Sequence, residues 1–133
     1  MDMKLELVLV PVTDVDRAKA FYTEKVGFGL DLDVVPAEGY RVVQMTPPGS
    51  ACSITIGTGL TDAAPGSLRG LHLVVSDVVA ARAELVGRGV EVGEVRHFQA
   101  GRWVTGPDPQ RSRFSSFAEF GDPDGNTWLL QEG

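Results

Sequence analysis

The chain has 133 residues, of which 43% are hydrophobic and 23% are charged, and its formal net charge is −6 at pH 7. This length and composition predict one globular domain and exclude a disordered chain. The acidic excess, with no run of Lys or Arg to offset it, argues against nucleic acid and anionic membrane surfaces as partners.

The hydrophobic stretches are no longer than a strand, well short of the ~20 residues that span a bilayer. The first residues alternate charged and hydrophobic side chains, which is not the pattern of a signal peptide. The single cysteine, Cys52, cannot form an intrachain disulfide and suits a reducing compartment. We therefore expect a cytoplasmic protein with no membrane partner.

The first half of the chain predicts one strand, one helix and three further strands. The aliphatic run from Leu7 to Val12 predicts the first strand. Thr13 and Asp14 follow it, and their side-chain oxygens can accept hydrogen bonds from the first free N–H groups of a helix. Apolar residues at helical spacing predict that helix over about 15–25, with Gly27 as its C-terminal cap. The later strands are predicted at 28–35, 40–46 and 51–58.

The second half repeats the first. Residues 70–83 align without a gap with residues 7–20, so that Ser76 and Asp77 take the places of the first helix-capping pair. A helix is predicted over 78–87, with Gly89 as its cap. Strands are then predicted at 90–96, 113–120 and 127–131.

The repeat defines the predicted architecture. We expect an α+β domain over residues 1–133, built from two tandem βαβββ modules whose curved mixed sheets form a groove. The first module covers 4–58, the linker 59–67 and the second module 68–132.

A long connection in the second module, residues 97–113, carries aromatic and basic side chains between Gly and Pro residues. Such loops in compact domains tend to bind ligands or cover them. As a flap, Phe98 and Trp103 would stack on a planar ligand while Arg102 or Arg113 pairs with its carboxylate or phenolate. The alternative is a surface loop in which Trp103 only covers the edge of the core.

Both ends of the chain resemble one known family. The segment Val12–Tyr22, followed by Val26-Gly27-Phe28, resembles the opening motif of the vicinal oxygen chelate superfamily. That superfamily includes glyoxalase I, extradiol dioxygenases and the fosfomycin- and bleomycin-resistance proteins. The segment Phe120–Trp128, with its Asp-Pro-Asp-Gly-Asn turn, resembles the same family's final hairpin. The resemblance implies the glyoxalase/bleomycin-resistance fold, and it implies a homodimer, since many relatives pair around a two-fold axis.

The resemblance also locates the positions that hold a divalent metal in the family's enzymes. They fall at Leu7, Gly70 and Leu129, none of which can donate to a metal ion. His72 and Glu119 share the groove side by the family's register, but one His and one Glu make a poor metal site. We therefore expect no metal and no cofactor, with His72 bonded to a carboxylate or a ligand.

A groove without metal ligands favours a binding protein. The leading interpretation is a metal-independent protein that sequesters a hydrophobic or aromatic compound, such as an antibiotic. The alternative is a metal-independent isomerase, cyclase or lyase in which His72 and Glu119 transfer protons. The residues expected to bind the ligand are Leu7, Leu9, His72, Phe98, Arg102, Trp103, Arg113, Phe117, Glu119 and Leu129.

Overall fold

The computed structural model describes all 133 residues, which form two compact units. The first unit contains Met1–Leu68 together with Asp122–Asn126, and the second contains Arg69–Gly121 together with Thr127–Gly133. Each unit has one mixed sheet and one helical segment, so the predicted α+β class is confirmed. Neither helical segment is long and apolar enough to cross a membrane.

The first unit has the predicted βαβββ order. Its elements are β1 (Leu7–Leu9), α1 (Val15–Ala20) continued by a π-helical turn (Phe21–Val26), β2 (Gly29–Val34), β3 (Arg41–Thr46) and β4 (Ser53–Thr58). The strand order in the sheet is β1-β4-β3-β2, with β1 parallel to β4 and the other pairs antiparallel.

Both ends of the first helical segment follow the sequence prediction. The Asp14 carboxylate accepts a hydrogen bond from the Arg17 N–H at 3.0 Å, which satisfies one of the free donors of the first turn. At the other end Gly27 has φ 95° and donates its N–H to the Tyr22 carbonyl. A left-handed backbone at this place favours glycine because a side chain would clash there.

The turn Asp122–Asn126 lies in the last hairpin of the chain, yet it is part of the first unit. Asn126 is fully buried, and its side chain donates hydrogen bonds to the Pro11 carbonyl and to Asp122, each at 2.8 Å. Its amide oxygen accepts the Leu68 N–H at 3.0 Å. The buried Tyr22 hydroxyl donates to Asp122 at 2.8 Å. These bonds tie residues far apart in sequence into one polar centre.

The second unit repeats the order and adds one strand. Its elements are β5 (Leu71–Val75), α2 (Val78–Gly87), β6 (Arg96–Gln99), β7 (Arg102–Thr105), β8 (Ser116–Gly121) and β9 (Thr127–Glu132). The strand order is β5-β9-β8-β6-β7, with β5 parallel to β9. Helix α2 packs on β8 and β9, where Trp128 and Phe120 stack with ring centroids 6.2 Å apart.

The N-terminus of α2 is held by an ionic network. Asp77 caps the helix by accepting the Ala80 N–H at 3.1 Å, and Glu132 accepts the Val78 N–H at 3.0 Å. Arg111 donates two hydrogen bonds to Glu132, at 2.9 and 2.7 Å, and one to Asp77 at 3.2 Å. The bonds from Arg111 hold the pKa of Glu132 below its usual range, although burial opposes the shift.

The structure corrects two predictions in the second module. Of the strand predicted at 90–96, only a bridge at Val92 and Arg96, which begins β6, have β-structure. Between them the carbonyls of Val92 and Gly93 accept hydrogen bonds from the Arg82 side chain. The segment predicted as a loop from 97 onward is instead the β6–β7 hairpin as far as Thr105. Its two-residue turn, Ala100-Gly101, has φ 52° and 82°, as in the tight turns that suit hairpins.

Candidate ligand-binding site

One side of the five-stranded sheet of the second unit collects most of the predicted site residues. Residues paired across neighbouring strands project to the same side of a sheet. The pairing places His72 opposite Leu129, Leu129 opposite Glu119, Arg96 opposite Phe117 and Phe98 opposite Trp103. We call this side the open face; its members include His72, Arg96, Phe98, Trp103, Phe117, Glu119 and Leu129.

Three aromatic side chains form a continuous row on the open face. The ring centroids of Phe98 and Trp103 are 5.3 Å apart, and those of Trp103 and Phe117 are 5.7 Å apart, both in edge-to-face arrangement. His72 extends the row, with its ring 6.3 Å from that of Phe117. Phe98 and Trp103 are 58% and 49% exposed. Contiguous aromatic side chains with this degree of exposure are typical of binding surfaces. We call Phe98, Trp103 and Phe117 the aromatic row.

Arg96 is the basic residue beside this row, and sequence reasoning missed it. Its guanidinium carbon lies 4.4 Å from the centroid of the Trp103 ring, a cation–π contact. Its shortest distance to a carboxylate is 3.9 Å, from Nη2 to Glu119, which is too long for a hydrogen bond. Its Nε is buried and has no hydrogen-bond partner. The signal was available, because Arg96 precedes Phe98 by two residues and shares its side of any strand.

The two arginines named from the sequence lie elsewhere. Arg102 pairs with Gln99 next to the hairpin turn, and its place beside Trp103 in β7 directs it to the opposite side of the strand. Arg113 follows β7, and its guanidinium lies 4.7 Å from the ring centroid of Phe114. The structure therefore does not bring Arg102 or Arg113 onto the aromatic row.

His72 and Glu119 share the open face without touching. Leu129 lies between them in the register, and two strand spacings separate them by about 10 Å. His72 Nδ1 lies 2.7 Å from the Gly70 carbonyl oxygen, and Glu119 has only the long contact to Arg96. A direct proton transfer between the two side chains is therefore excluded in this arrangement.

The predicted residues of the first unit have polar neighbours. Leu7 pairs with Ser53 and Leu9 with Thr55, so their side of the sheet is less apolar than expected. Leu9 and Thr55 also line a cleft of about 290 Å³. The Thr55 hydroxyl is buried there without a partner. The other hydroxyl side chains of the cleft are Thr13, Thr58 and Thr61.

His97 lies on the reverse side of the hairpin and fixes its base. His97 is buried, with 5% of its surface exposed. Its Nδ1 lies 2.7 Å from the Gly106 carbonyl oxygen, and its Nε2 lies 3.0 Å from Gln99 Oε1. Both partners are acceptors, and the Gly106 carbonyl contributes most to raising the pKa of His97 above its ordinary value.

The raised pKa predicts a pH dependence of stability. Because the folded state favours protonated His97, its contribution is complete below about pH 6.5 and is lost as the pH rises through the folded-state pKa. We expect the melting temperature to fall as the pH is raised from about 6 to 8.5, and His97→Gln to flatten that slope. Thermal unfolding followed by circular dichroism measures it. An unchanged slope in His97→Gln would contradict the assignment.

The comparisons with known proteins agree with this architecture of two βαβββ units. The profile of the Glyoxalase/Bleomycin resistance protein/Dioxygenase superfamily matches residues 4–130. The chain therefore belongs to this superfamily, which confirms the resemblance and the fold expected from its motifs.

Solved structures and one bacterial relative are similar over the whole chain. TnmS3, an antibiotic binding protein from Streptomyces sp. CB03234, is 37% identical with a TM-score of 0.77, over 98% of this chain and 96% of its own. A glyoxalase/bleomycin resistance protein from the same organism is also 37% identical, with a TM-score of 0.74, over 97% and 100%. YetH of Bacillus subtilis (strain 168) is 25% identical over 99% of this chain and 100% of its own.

The residues at the family's metal positions do not fit a divalent cation. Leu7 and Leu129 offer only alkyl side chains in β1 and β9, and Gly70 precedes β5 with no side chain at all. No three His, Cys, Asp or Glu side chains are grouped so that they could hold a metal ion.

Proposed function

We propose that the chain is a metal-independent binding protein that holds a hydrophobic, aromatic small molecule on the open face. The observation that carries this proposal is the aromatic row, with Phe98 and Trp103 about half exposed. The identity with TnmS3, described as an antibiotic binding protein, supports a small-molecule ligand.

The physical basis is burial of aromatic surface. A Trp or Phe side chain offers 150–250 Å² in all, so covering the exposed halves of two such rings removes roughly 200 Å² from water. At about 25 cal/mol per Å² this contributes roughly 5 kcal/mol before the entropy of association is subtracted. The polar side chains beside the row, Arg96, Glu119 and His72, are few enough to orient a ligand without dominating the surface.

We further propose that the natural ligand is an antibiotic, that binding sequesters it, and that the protein acts in the cytoplasm as a homodimer. The similarity to TnmS3 supports an antibiotic as the ligand. Dimerisation is common among members of the superfamily, which supports the homodimer. The single cysteine supports a reducing compartment such as the cytoplasm. Sequestration requires shape and stacking, and the residues of the open face provide both without a metal.

Titration with a neutral planar compound, 2-anthracenecarboxamide, tests the binding role. We expect saturable quenching of tryptophan fluorescence, because Trp103 lies in the row and half of its ring is open to contact. Mass spectrometry should recover the compound unchanged after long incubation. A new product, formed by the wild type but lost in His72→Ala or Glu119→Ala, would replace binding by catalysis. Absence of quenching would refute the site.

A further inference from the structure

We infer that the ligand is an aromatic carboxylate and that Arg96 is the residue that selects it. This inference rests on the proposed function, since it names the chemical class that the aromatic row binds. The structural reason is that the Arg96 guanidinium donates no hydrogen bond to a protein group and contacts the half-exposed ring of Trp103.

The state of Arg96 differs from that of the arginines that hold the fold. Arg41 contacts Asp33 at 2.9 Å and Asp16 at 2.9 Å, and Arg111 bonds to Glu132 and Asp77. Arg96, by contrast, donates no hydrogen bond to a protein group, and its nearest carboxylate oxygen, on Glu119, is 3.9 Å away.

The Arg96 guanidinium, which lies against the Trp103 ring without a hydrogen-bond partner in the protein, can donate to an acceptor of the ligand. Its Nε–H is buried without a partner, and because the side chain is 39% exposed, its terminal N–H groups are open to an acceptor from a ligand. The cation–π contact with Trp103 compensates for charge but satisfies none of the donors. The contact with the Trp103 ring also restricts how the guanidinium can turn, and therefore where the edge that carries its paired N–H donors can point.

The shape of that edge selects a carboxylate. A carboxylate is planar, accepts two parallel hydrogen bonds from the fork and is ionised at neutral pH. A simple phenol, with a pKa near 10, remains protonated at that pH and cannot form the paired bonds of a carboxylate. A ligand ring that packs on the exposed part of Trp103 next to the guanidinium would bring a carboxylate attached directly to that ring to the terminal N–H groups of Arg96.

Glu119 acts against such a ligand. Its carboxylate occupies the neighbourhood of Arg96 without forming a hydrogen bond, and it would repel an arriving anion. The net charge of −6 adds a weaker, screened repulsion. A ligand carboxylate that binds must therefore gain more from Arg96 than it loses to these charges, which makes Arg96 decisive.

A matched pair of compounds isolates this contribution. 2-Anthracenecarboxylate and 2-anthracenecarboxamide share one ring system and differ in charge, and calorimetry gives the affinity of each for the full-length protein. We expect the wild type to bind the carboxylate about tenfold more tightly, the preference expected of a charge-assisted bidentate pair. Arg96→Gln should remove that preference, so that the two compounds bind with equal affinity, and Arg96→Lys should retain part of it.

Two further variants complete the test. Arg102→Gln removes a hairpin arginine that lies off the aromatic row, so it should leave the preference unchanged. Glu119→Gln should raise affinity for the carboxylate, because it removes the nearest negative charge that repels this ligand. Circular dichroism verifies that each variant is folded.

The outcomes separate the inference from the proposed function. Equal affinities of the wild type for the two compounds, or a preference that survives Arg96→Gln, would overturn the role of Arg96 while binding to the aromatic row stands. If neither compound binds, the proposed function fails, and the inference fails with it.

Discussion

Replacing Trp103 with alanine should weaken binding of 2-anthracenecarboxamide by about 100-fold, the loss typical of a central aromatic anchor. Trp103 is the middle member of the aromatic row, in contact with both Phe98 and Phe117, and it also supports Arg96. Its removal takes away the stacking surface and the packing that orients its neighbours. Calorimetric titration of the folded variant gives the affinity.

The control is another exposed aromatic residue of the same unit. Phe114 is 46% exposed and packs with Arg113, away from the row, so Phe114→Ala should change the affinity by less than about twofold. In Trp103→Ala the remaining tryptophan, Trp128, is buried on the other side of the sheet, and its fluorescence should not respond to the compound. Wild-type affinity in Trp103→Ala would show that the compound does not bind at the aromatic row. The cleft lined by Leu9 and Thr55 would then be the alternative site.

Local chemistry made much of the fold predictable. The capping residues Asp14 and Asp77 act within three residues of their partners, so their hydrogen bonds are visible in the sequence pattern. The internal repeat then predicted the second module, because the strand and helix positions of the first module could be transferred to the aligned residues. The capping glycine Gly27 was found for the same reason, since it adopts the left-handed backbone that glycine tolerates best.

The hairpin was missed because its signals are weak and its neighbours misleading. Ala100-Gly101 is not one of the strong turn pairs, and the glycines and prolines that follow indicate a loop. Because the strand was predicted to end at Arg96 and the loop to begin at residue 97, the alternation of sides was not continued from Arg96 to Phe98, Arg102 and Trp103. Once the strands are placed, the alternation assigns Arg96 to the row and Arg102 to the reverse side.

The polar centre around Asn126 was also beyond the sequence. The Pro and Gly of its turn are local signals, and the turn itself was predicted. The partners of its side chains, Pro11 and Leu68, lie 115 and 58 residues away along the chain. No local pattern reveals such pairs, because they form only when the units have folded.

Asn126→Ala should lower the free energy of unfolding by about 3–5 kcal/mol, a large change for a single substitution, because it breaks a buried hydrogen-bond network. The side chain is fully buried and makes three hydrogen bonds, to Pro11, Asp122 and Leu68. Alanine removes the amide that bonds to the Pro11 carbonyl and the Leu68 N–H, in a place where water cannot easily replace it. Urea denaturation followed by circular dichroism gives the change.

The matched control is an amide that bonds to the backbone in an exposed position. Gln131 donates to the Phe114 carbonyl at 3.2 Å, and in Gln131→Ala water can take over that bond, so the loss should stay below about 1 kcal/mol. Both variants remove an amide that bonds to a main-chain carbonyl, so the difference between them measures burial together with the two additional hydrogen bonds of Asn126. Equal, small losses would mean that Asn126 is replaceable by solvent. The turn Asp122–Asn126 would then be held in the first unit mainly by Tyr22 and Thr13, which donate to Asp122 and Asp124.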